Sequence, residues 1–235
     1  MPGWLQLSEV ELQALRLSID VALRSVLLGL PLAIATAWLL TRRRFAGRLL
    51  VDAFVHLPLV LPPVVIGYLL LLLFGVRGPL GSWLLNTFGV RLVFTRNGAA
   101  LATAVMSFPL IVRAVRIALE SVDRGLEEAA RTLGAGPWNR FFTITLPLTM
   151  PGVLAGAVTG FAAGLGEFGA VITFVGNVPG ETQTLPLALY SALQMPGGDA
   201  VAGHLAAISI VLGFSGILLA ELLSRSLRRR LGRTA

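Results

Sequence analysis

Five long apolar runs limit what this chain can fold into more than any other feature. They lie at about residues 17–41, 53–76, 97–119, 147–170 and 201–223. Each is close to the roughly 20 apolar residues that a helix needs to cross the hydrocarbon core of a bilayer. Charged residues make up only 13% of the sequence, against roughly 25% in soluble domains. The sequence therefore predicts an all-α integral membrane protein, a single domain over residues 1–235 with about five transmembrane helices.

Arginine clusters at the ends of these runs predict how the chain is oriented. Arginine is enriched in cytoplasmic loops, where it sets the direction in which membrane helices insert. The clusters end or follow the first, third and fifth runs: Arg42–Arg44 with Arg48, Arg113 with Arg116 and Arg124, and Arg225 with Arg228–Arg230 and Arg233. We therefore expect the N-terminus outside, the C-terminus in the cytoplasm and an odd number of crossings. The net charge of +7 then indicates anionic lipid headgroups as a partner, not nucleic acid.

Residue composition also excludes several kinds of chemistry. The chain has no lysine, so it cannot supply the Gly-Lys-Ser/Thr loop with which nucleotide hydrolases hold phosphates. It has no cysteine, which excludes disulfides, thiolate nucleophiles and iron–sulfur sites. Its two histidines, His56 and His204, lie on different runs and belong to no hydrolase motif. We expect hydrogen bonds at helix ends for both histidines, and no catalytic residue, metal site or cofactor in this chain.

The segment between the third and fourth runs, residues 120–146, carries a helical pattern although it is polar. Its apolar residues recur at i, i+3, i+4 and i+7: Leu126, Ala129, Ala130 and Leu133. Asp123 is a candidate N-cap, and Gly134 with Pro137 is typical of a helix end followed by a turn. Glu127 and Arg131 are spaced to form an ion pair on this helix. The pattern predicts a short amphipathic helix in the cytoplasm.

Aromatic residues extend the apolar side of this helix. Trp138, Phe141 and Phe142 follow it directly and lead into Pro147, where the chain becomes apolar again. A solvated connector between two spans has no need of so much apolar surface. Lying on lipid is the other alternative, and we favour docking into a partner protein.

Glycine recurs at every fourth position of the fourth run, at Gly152, Gly156, Gly160 and Gly164. The hydrophobic effect cannot drive helices together in lipid, so close backbone approach at small residues becomes important. We expect these glycines to form a helix-packing face.

Three prolines and one carboxylate interrupt the second and fourth runs. Pro58, Pro62 and Pro63 should break or kink a helix, because each removes a backbone donor and clashes with the preceding turn. Glu167 lies toward the outer end of the fourth run, where a carboxylate is costly unless it is paired or hydrated. Irregular backbone at membrane depth is tolerated mainly beside cavities, so these four residues are candidates for a pathway or gate. The alternative for Glu167 is to accept hydrogen bonds where the helix breaks.

A known motif lies within residues 120–147. Glu128-Ala129-Ala130, Gly134 after three intervening residues, and Ile144-Thr145-Leu146-Pro147 after nine more fit the pattern EAA-x3-G-x9-I-x-LP. This resembles the EAA motif of bacterial ABC importer membrane subunits, which implies a type I importer-like permease. The resemblance implies a coupling helix seated in a cleft of a separate ATPase subunit. The implied docking residues are Leu126, Glu127, Glu128, Ala129, Ala130, Arg131, Leu133, Gly134 and Trp138.

The same resemblance implies the remaining parts of an importer. These are a second copy of the permease, an oxyanion-binding protein in the periplasm or outside the cell, and ATP with magnesium held by the ATPase subunit, all at the bacterial cytoplasmic (inner) membrane. Segments 56–67, 107–110, 165–169 and 179–190 look like the molybdate branch of the family, for which tungstate is a related cargo. Sulfate permeases share the EAA loop, so the motif alone does not separate the two branches.

Two other classes of function are weaker alternatives. An ATP-independent secondary transporter should show ion-coupling carboxylates within the membrane and internal repeats, and only Glu167 fits even loosely. An intramembrane enzyme should show a cluster of catalytic residues, and the sequence contains none of the usual motifs.

Overall fold

The computed structural model describes residues 8–230, and every regular element in that range is helical. The helices are α1 (Glu9–Arg42), α2 (Arg48–Val60), α3 (Pro63–Phe74), α4 (Pro79–Phe88), α5 (Arg96–Glu120), α6 (Arg124–Thr132), α7 (Pro137–Arg140), α8 (Leu146–Leu165), α9 (Gly169–Val175), α10 (Leu185–Leu193) and α11 (Asp199–Arg230). A π-helical turn, Phe141–Thr145, joins α7 to α8. The predicted all-α fold is confirmed.

Four helical stretches of the described chain are long and apolar enough to cross a membrane. They are Glu9–Arg42, Arg96–Glu120, Pro137–Leu165 and Asp199–Leu219. Many large apolar side chains on the outward faces of α1, α3 and α11 are exposed in the single chain. An apolar outer surface of this extent is expected of a protein solvated by lipid.

The second predicted span, 53–76, is not one kinked helix. It consists of α2 and α3, whose axes differ in direction by 116°. Leu61 is extended, with φ −78° and ψ 143°, because the residue before a proline is disfavoured in the helical region. Pro63 then begins α3. The N–H of the first residue of a helix has no acceptor within the helix, so its absence from proline costs no hydrogen bond there. Pro58, by contrast, lies inside α2 without ending it.

Contacts between α1 and α5 decide whether this bent pair crosses the protein. Arg24 Nη1 lies 2.7 Å from Asn97 Oδ1, and Arg42 Nη2 lies 3.2 Å from the Leu119 carbonyl oxygen. The two helices are therefore parallel, with their C-terminal ends together. The chain between Arg42 and Arg96 has to return from one end of the bundle to the other, and α2, α3 and α4 make that return. The structure thus has five passes along the bundle, including one broken pass.

The remaining two passes follow the same geometry. Glycines of α8 face α5 in reverse order, so α8 is antiparallel to α5. His204 Nδ1, near the start of α11, lies 3.5 Å from Glu11 Oε1, near the start of α1. The starts of α1 and α11 therefore lie together. The C-terminal ends of α1 and α5 lie together at the other end of the bundle. This is called the arginine-bearing end below, since two arginine clusters of the sequence follow or lie within these helix ends.

The glycines of α8 allow this close contact. A Cβ placed on Gly152 would lie 2.2 Å from Ala118 Cβ, and one on Gly160 would lie 2.6 Å from Ile111 Cδ1. At Gly164 it would lie 2.8 Å from Thr103 Cγ2. Gly156, Gly160 and Gly164 are buried in the contact. The centre of the bundle, formed by α1, α5 and α8, is therefore filled by small side chains at close range.

We expect Gly160→Leu to lower the free energy of unfolding by about 1–3 kcal/mol, because Ile111 is fully buried and has little room to move. The matched control is Gly213→Leu in α11, where a Cβ meets no atom within 4 Å. The stability of the two variants is compared by heating them in detergent and measuring the fraction of protein that stays monodisperse. Equal stability of the two variants would show that the glycine face does not set the packing.

Candidate functional site

The amphipathic helix of the sequence is α6, and its ends coincide with local signals. Asp123 caps its start, where the carboxylate accepts a hydrogen bond of 2.8 Å from the Gly125 N–H. After the helix, Gly134 adopts φ 86°, in the left-handed region that side chains with a Cβ rarely enter. The turn then leads through Gly136 into α7. The backbone conformation alone therefore favours glycine at position 134.

Arg42 and Glu127 attach α6 to the rest of the protein. Arg42 Nη2 lies 3.1 Å from Glu127 Oε1, and the Arg42 side chain is only 10% exposed. The hydroxyl of Thr145, in the π-helical turn, donates a 2.6 Å hydrogen bond to the same carboxylate oxygen. In the described chain Glu127 thus pairs with α1 instead of forming the predicted pair with Arg131. This contact spans 85 residues of sequence.

The opposite side of this segment is apolar and uncovered. No residue of α6 is buried, and the side chains of Leu133 and Trp138 are 88% and 75% exposed. Trp138 stacks on Phe142, with ring centroids 6.3 Å apart. The exposed apolar residues Leu126, Ala129, Leu133, Trp138 and Phe142 are called the coupling surface below. It lies at the arginine-bearing end of the bundle.

The other motif residues occupy two different environments. Glu128 is exposed and has no ion-pair partner within 4 Å in the described chain, unlike its neighbour Glu127. Ile144 and Leu146 are partly buried where the π-helical turn meets α8, and Pro147 lies in the first turn of α8. Helical structure continues from Pro137 to Leu165, so the coupling surface is joined to a membrane-crossing helix without a flexible link.

Two of the candidate pathway segments meet in the structure. The chain breaks between α2 and α3 at Pro62 and again between α8 and α9 at Glu167. A Cβ placed on Gly169 would lie 2.8 Å from Pro63 Cβ, so the two breaks are in contact. Glu167 Oε1 accepts a 2.8 Å hydrogen bond from the Ala170 N–H and so caps α9.

Pro58 lies in the last turn of α2, just before this junction. It lines an apolar cavity of about 250 Å³ between α1, α2 and α5. The sequence grouped it with Pro62 and Pro63 as a helix-breaking proline, whereas in the structure it lies inside α2.

Sequence reasoning missed a polar cavity at the arginine-bearing end. It measures about 390 Å³ and lies between α2 and α5. Arg116 Nη1 is 2.7 Å from Asp52 Oδ1, and His56 Nδ1 is 2.9 Å from the Asp52 carbonyl oxygen. Arg113 also lines it. No short-range pattern links Asp52 to Arg116, because they are 64 residues apart.

Neither histidine belongs to a cluster of possible metal ligands. His56 bonds within α2, and His204 lies beside Glu11. Within residues 8–230 no group of three His, Asp or Glu side chains could hold a metal ion.

The structure is thus an all-helical bundle with several helices able to cross a membrane, two breaks in contact with each other and an exposed amphipathic helix at one end. The family model of the "Binding-protein-dependent transport system inner membrane component" matches residues 29–229. The chain belongs to this family and is therefore an inner-membrane transport subunit.

Individual relatives agree with this assignment. The chain is 56% identical over 227 residues to the "Molybdenum transport system permease protein ModB" of Escherichia coli (strain K12), covering 97% of this chain and 99% of that protein. It is 42% identical over 182 residues to the "Sulfate transport system permease protein CysT" of the same organism, covering 76% and 65%. A crystal structure of a bacterial ABC transporter involved in the import of the acidic polysaccharide alginate matches with a TM-score of 0.75 at 21% identity, covering 94% of this chain and 80% of that one. At this identity the structural match shows the fold alone.

We expect Glu127→Ala and Glu128→Ala to differ although they are neighbours. Glu127→Ala leaves Arg42 without its carboxylate and should destabilise the permease by about 1.5–3 kcal/mol, the range for a hydrogen bond to a charged group. Glu128→Ala removes no intrachain contact of the described chain and should leave the unfolding temperature unchanged. Thermal unfolding of the permease alone, without any partner, measures both. Equal unfolding temperatures for the two variants would contradict a structural role of the Arg42–Glu127 pair.

Proposed function

We propose that this chain is the membrane subunit of an ATP-driven importer of a tetrahedral oxyanion, with molybdate as the cargo and tungstate as a close substitute. The full-length similarity to a molybdenum permease carries this proposal. Similarity to a sulfate permease is lower and covers less of the chain, which favours molybdate. Sulfate is the alternative cargo, since the coupling motif is common to both.

The arginine-bearing end lies in the cytoplasm in this proposal, by the positive-inside rule. The N-terminus is then outside and the C-terminus inside, and the five passes along the bundle agree with this odd topology. The coupling surface faces the cytoplasm, and the junction of the two breaks lies nearer the outer side.

A separate ATPase subunit supplies the energy. The absence of lysine from the sequence excludes a phosphate-binding loop in this chain, so ATP and magnesium belong to that partner. The coupling surface supports docking of the ATPase subunit, because this surface is apolar and uncovered. On the opposite side of α6, the Arg42–Glu127 pair attaches the helix to α1. Glu128, exposed and without an intrachain partner, is available for a cation of the ATPase.

Two copies of the chain enclose the pathway, and an external binding protein delivers the oxyanion. The centre of one bundle is filled by close contacts between α1, α5 and α8, which leave no room there for an anion. The passage therefore runs between copies. The Pro62–Pro63 and Glu167 breaks, in contact with each other, are the candidate gate, since irregular backbone at membrane depth needs protein or water around it.

We expect Leu133→Asp, Trp138→Ala and Glu128→Lys each to weaken ATPase binding by about 2 kcal/mol or more, the size of an interface hot spot. Gly134→Leu should act in the same direction through backbone strain of about 1–2 kcal/mol. Met195→Asp, at a side chain that is 63% exposed and lies at the opposite end of the bundle, is the control. Co-purification of the ATPase and the ATPase rate of the complex measure the effect. Wild-type values for the first four variants would exclude docking at this surface.

Uptake into vesicles tests the function directly. The permease and its ATPase are reconstituted in vesicles, with ATP on the side of the membrane that carries the ATPase. A candidate binding protein is placed on the other side, together with molybdate, tungstate or sulfate. We expect ATP-dependent uptake of molybdate and tungstate above sulfate. A preference for sulfate would change the cargo but not the class, whereas uptake without ATP would indicate a secondary transporter.

A further inference from the structure

A second cavity of about 390 Å³ lies between the end of α1 and the coupling segment α6–α7. Ligand pockets have volumes of roughly 300–1,000 Å³, so this cavity could hold a small ion with its water. Five arginines line it: Arg42, Arg43, Arg124, Arg131 and Arg140. We call these residues the arginine pocket.

Carboxylates in the cavity do not balance this charge. Glu127 and Glu128 are the two acidic residues among its lining side chains, so positive charges exceed negative ones by three. Within the described chain, Arg42 is the one arginine of the five with a carboxylate within 4 Å, at Glu127. Arg43 instead lies over the ring of Trp38, 5.4 Å from its centroid. The cavity is therefore electropositive, with four arginines that lack an anionic partner in this part of the chain.

Two buried N–H groups in the pocket lack acceptors. Arg42 Nε and Arg140 Nε are both buried and have no hydrogen-bond partner among the described residues. Arg42 is nine-tenths buried, so bulk water has little access to it. An unsatisfied buried donor is costly, more so on a charged group, and such atoms often mark an ion or water that completes the site. A ligand that brings acceptors within reach of these two groups would satisfy them.

We propose that the arginine pocket binds a tetrahedral oxyanion. Guanidinium groups suit such a ligand, because each offers several N–H donors in a planar fork that matches phosphate-like oxygens. The five arginines come from three elements: the end of α1, α6 and α7. A bound oxyanion would therefore tie the coupling segment to α1. If the proposed docking of the ATPase holds, occupancy of the pocket sets how firmly the coupling surface is presented.

The oxyanion has two possible sources. One is the phosphate of an anionic lipid headgroup, because Trp38 lines the pocket and tryptophan is enriched at the headgroup level. The other is free oxyanion on the cytoplasmic side, either inorganic phosphate or cargo that has been delivered there. Both sources present the same group to the arginines.

The test uses the purified full-length permease without its ATPase, so its result is independent of transport. In delipidated detergent samples, binding of inorganic phosphate and of molybdate is measured by calorimetry. In a parallel arm, the same protein is placed in nanodiscs of phosphatidylcholine alone or with phosphatidylglycerol, and retained lipid is identified by native mass spectrometry. Variants are Arg140→Gln and Arg131→Gln, and the control is Arg77→Gln, an exposed arginine at the opposite end of the bundle. Unliganded unfolding temperatures establish that each variant is folded.

We expect each pocket variant to weaken binding by about tenfold or more, as for loss of a charge-assisted hydrogen bond, while Arg77→Gln binds as wild type does. Saturable binding of phosphate or molybdate in detergent would identify a free oxyanion, and selective retention of phosphatidylglycerol would identify a headgroup. Either result supports the site when the pocket variants reduce it. Absence of binding in both arms, or equal binding by Arg140→Gln and Arg77→Gln, would overturn it.

Discussion

Close contact between α5 and α8 forms the centre of the bundle, on which the placement of the coupling segment depends. In lipid, apolar surface alone does not bring helices together, so association depends on close backbone approach and van der Waals contact. Glycine at every fourth residue of α8 permits that approach, and Ala114, Ala118 and Ile111 of α5 fill the space. The coupling segment leaves α5 at its end and re-enters the bundle at α8. The contact between the two helices therefore also fixes the end of α5 and the start of α8, the two points between which the coupling segment lies.

The coupling surface and the junction of breaks lie at opposite ends of one continuous helical stretch. Helical structure from Pro137 to Leu165 covers 29 residues, or about 44 Å at 1.5 Å per residue. Glu167 follows directly at its far end. In the proposed importer, a movement of the ATPase against Leu133 and Trp138 would reach the break at Glu167 through this continuous helix. Arg42 provides a second connection, from α6 to α1.

Local patterns predicted those parts of the protein that depend on neighbouring residues. The apolar runs gave the long helices, Asp123 and Gly134 marked the ends of α6, and the Pro62–Pro63 pair located a break. Local patterns could not predict that the chain turns by 116° after that break, because the direction of α3 depends on its packing against α9. The partner of Glu127 was assigned to Arg131 on helical spacing, whereas Arg42 reaches it from 85 residues away.

By itself, the sequence determined the class of protein, the long apolar helices and the amphipathic character of α6, since hydrophobic length, periodicity and capping act over a few turns of helix. It also excluded a nucleotide-binding loop through the absence of lysine. Only the tertiary structure decided which charges meet: Arg42 with Glu127, Arg116 with Asp52, and five arginines around one cavity. The physical reason is that an ion pair or a pocket depends on distances between helices, which close packing in the folded bundle sets and which spacing along the chain does not record.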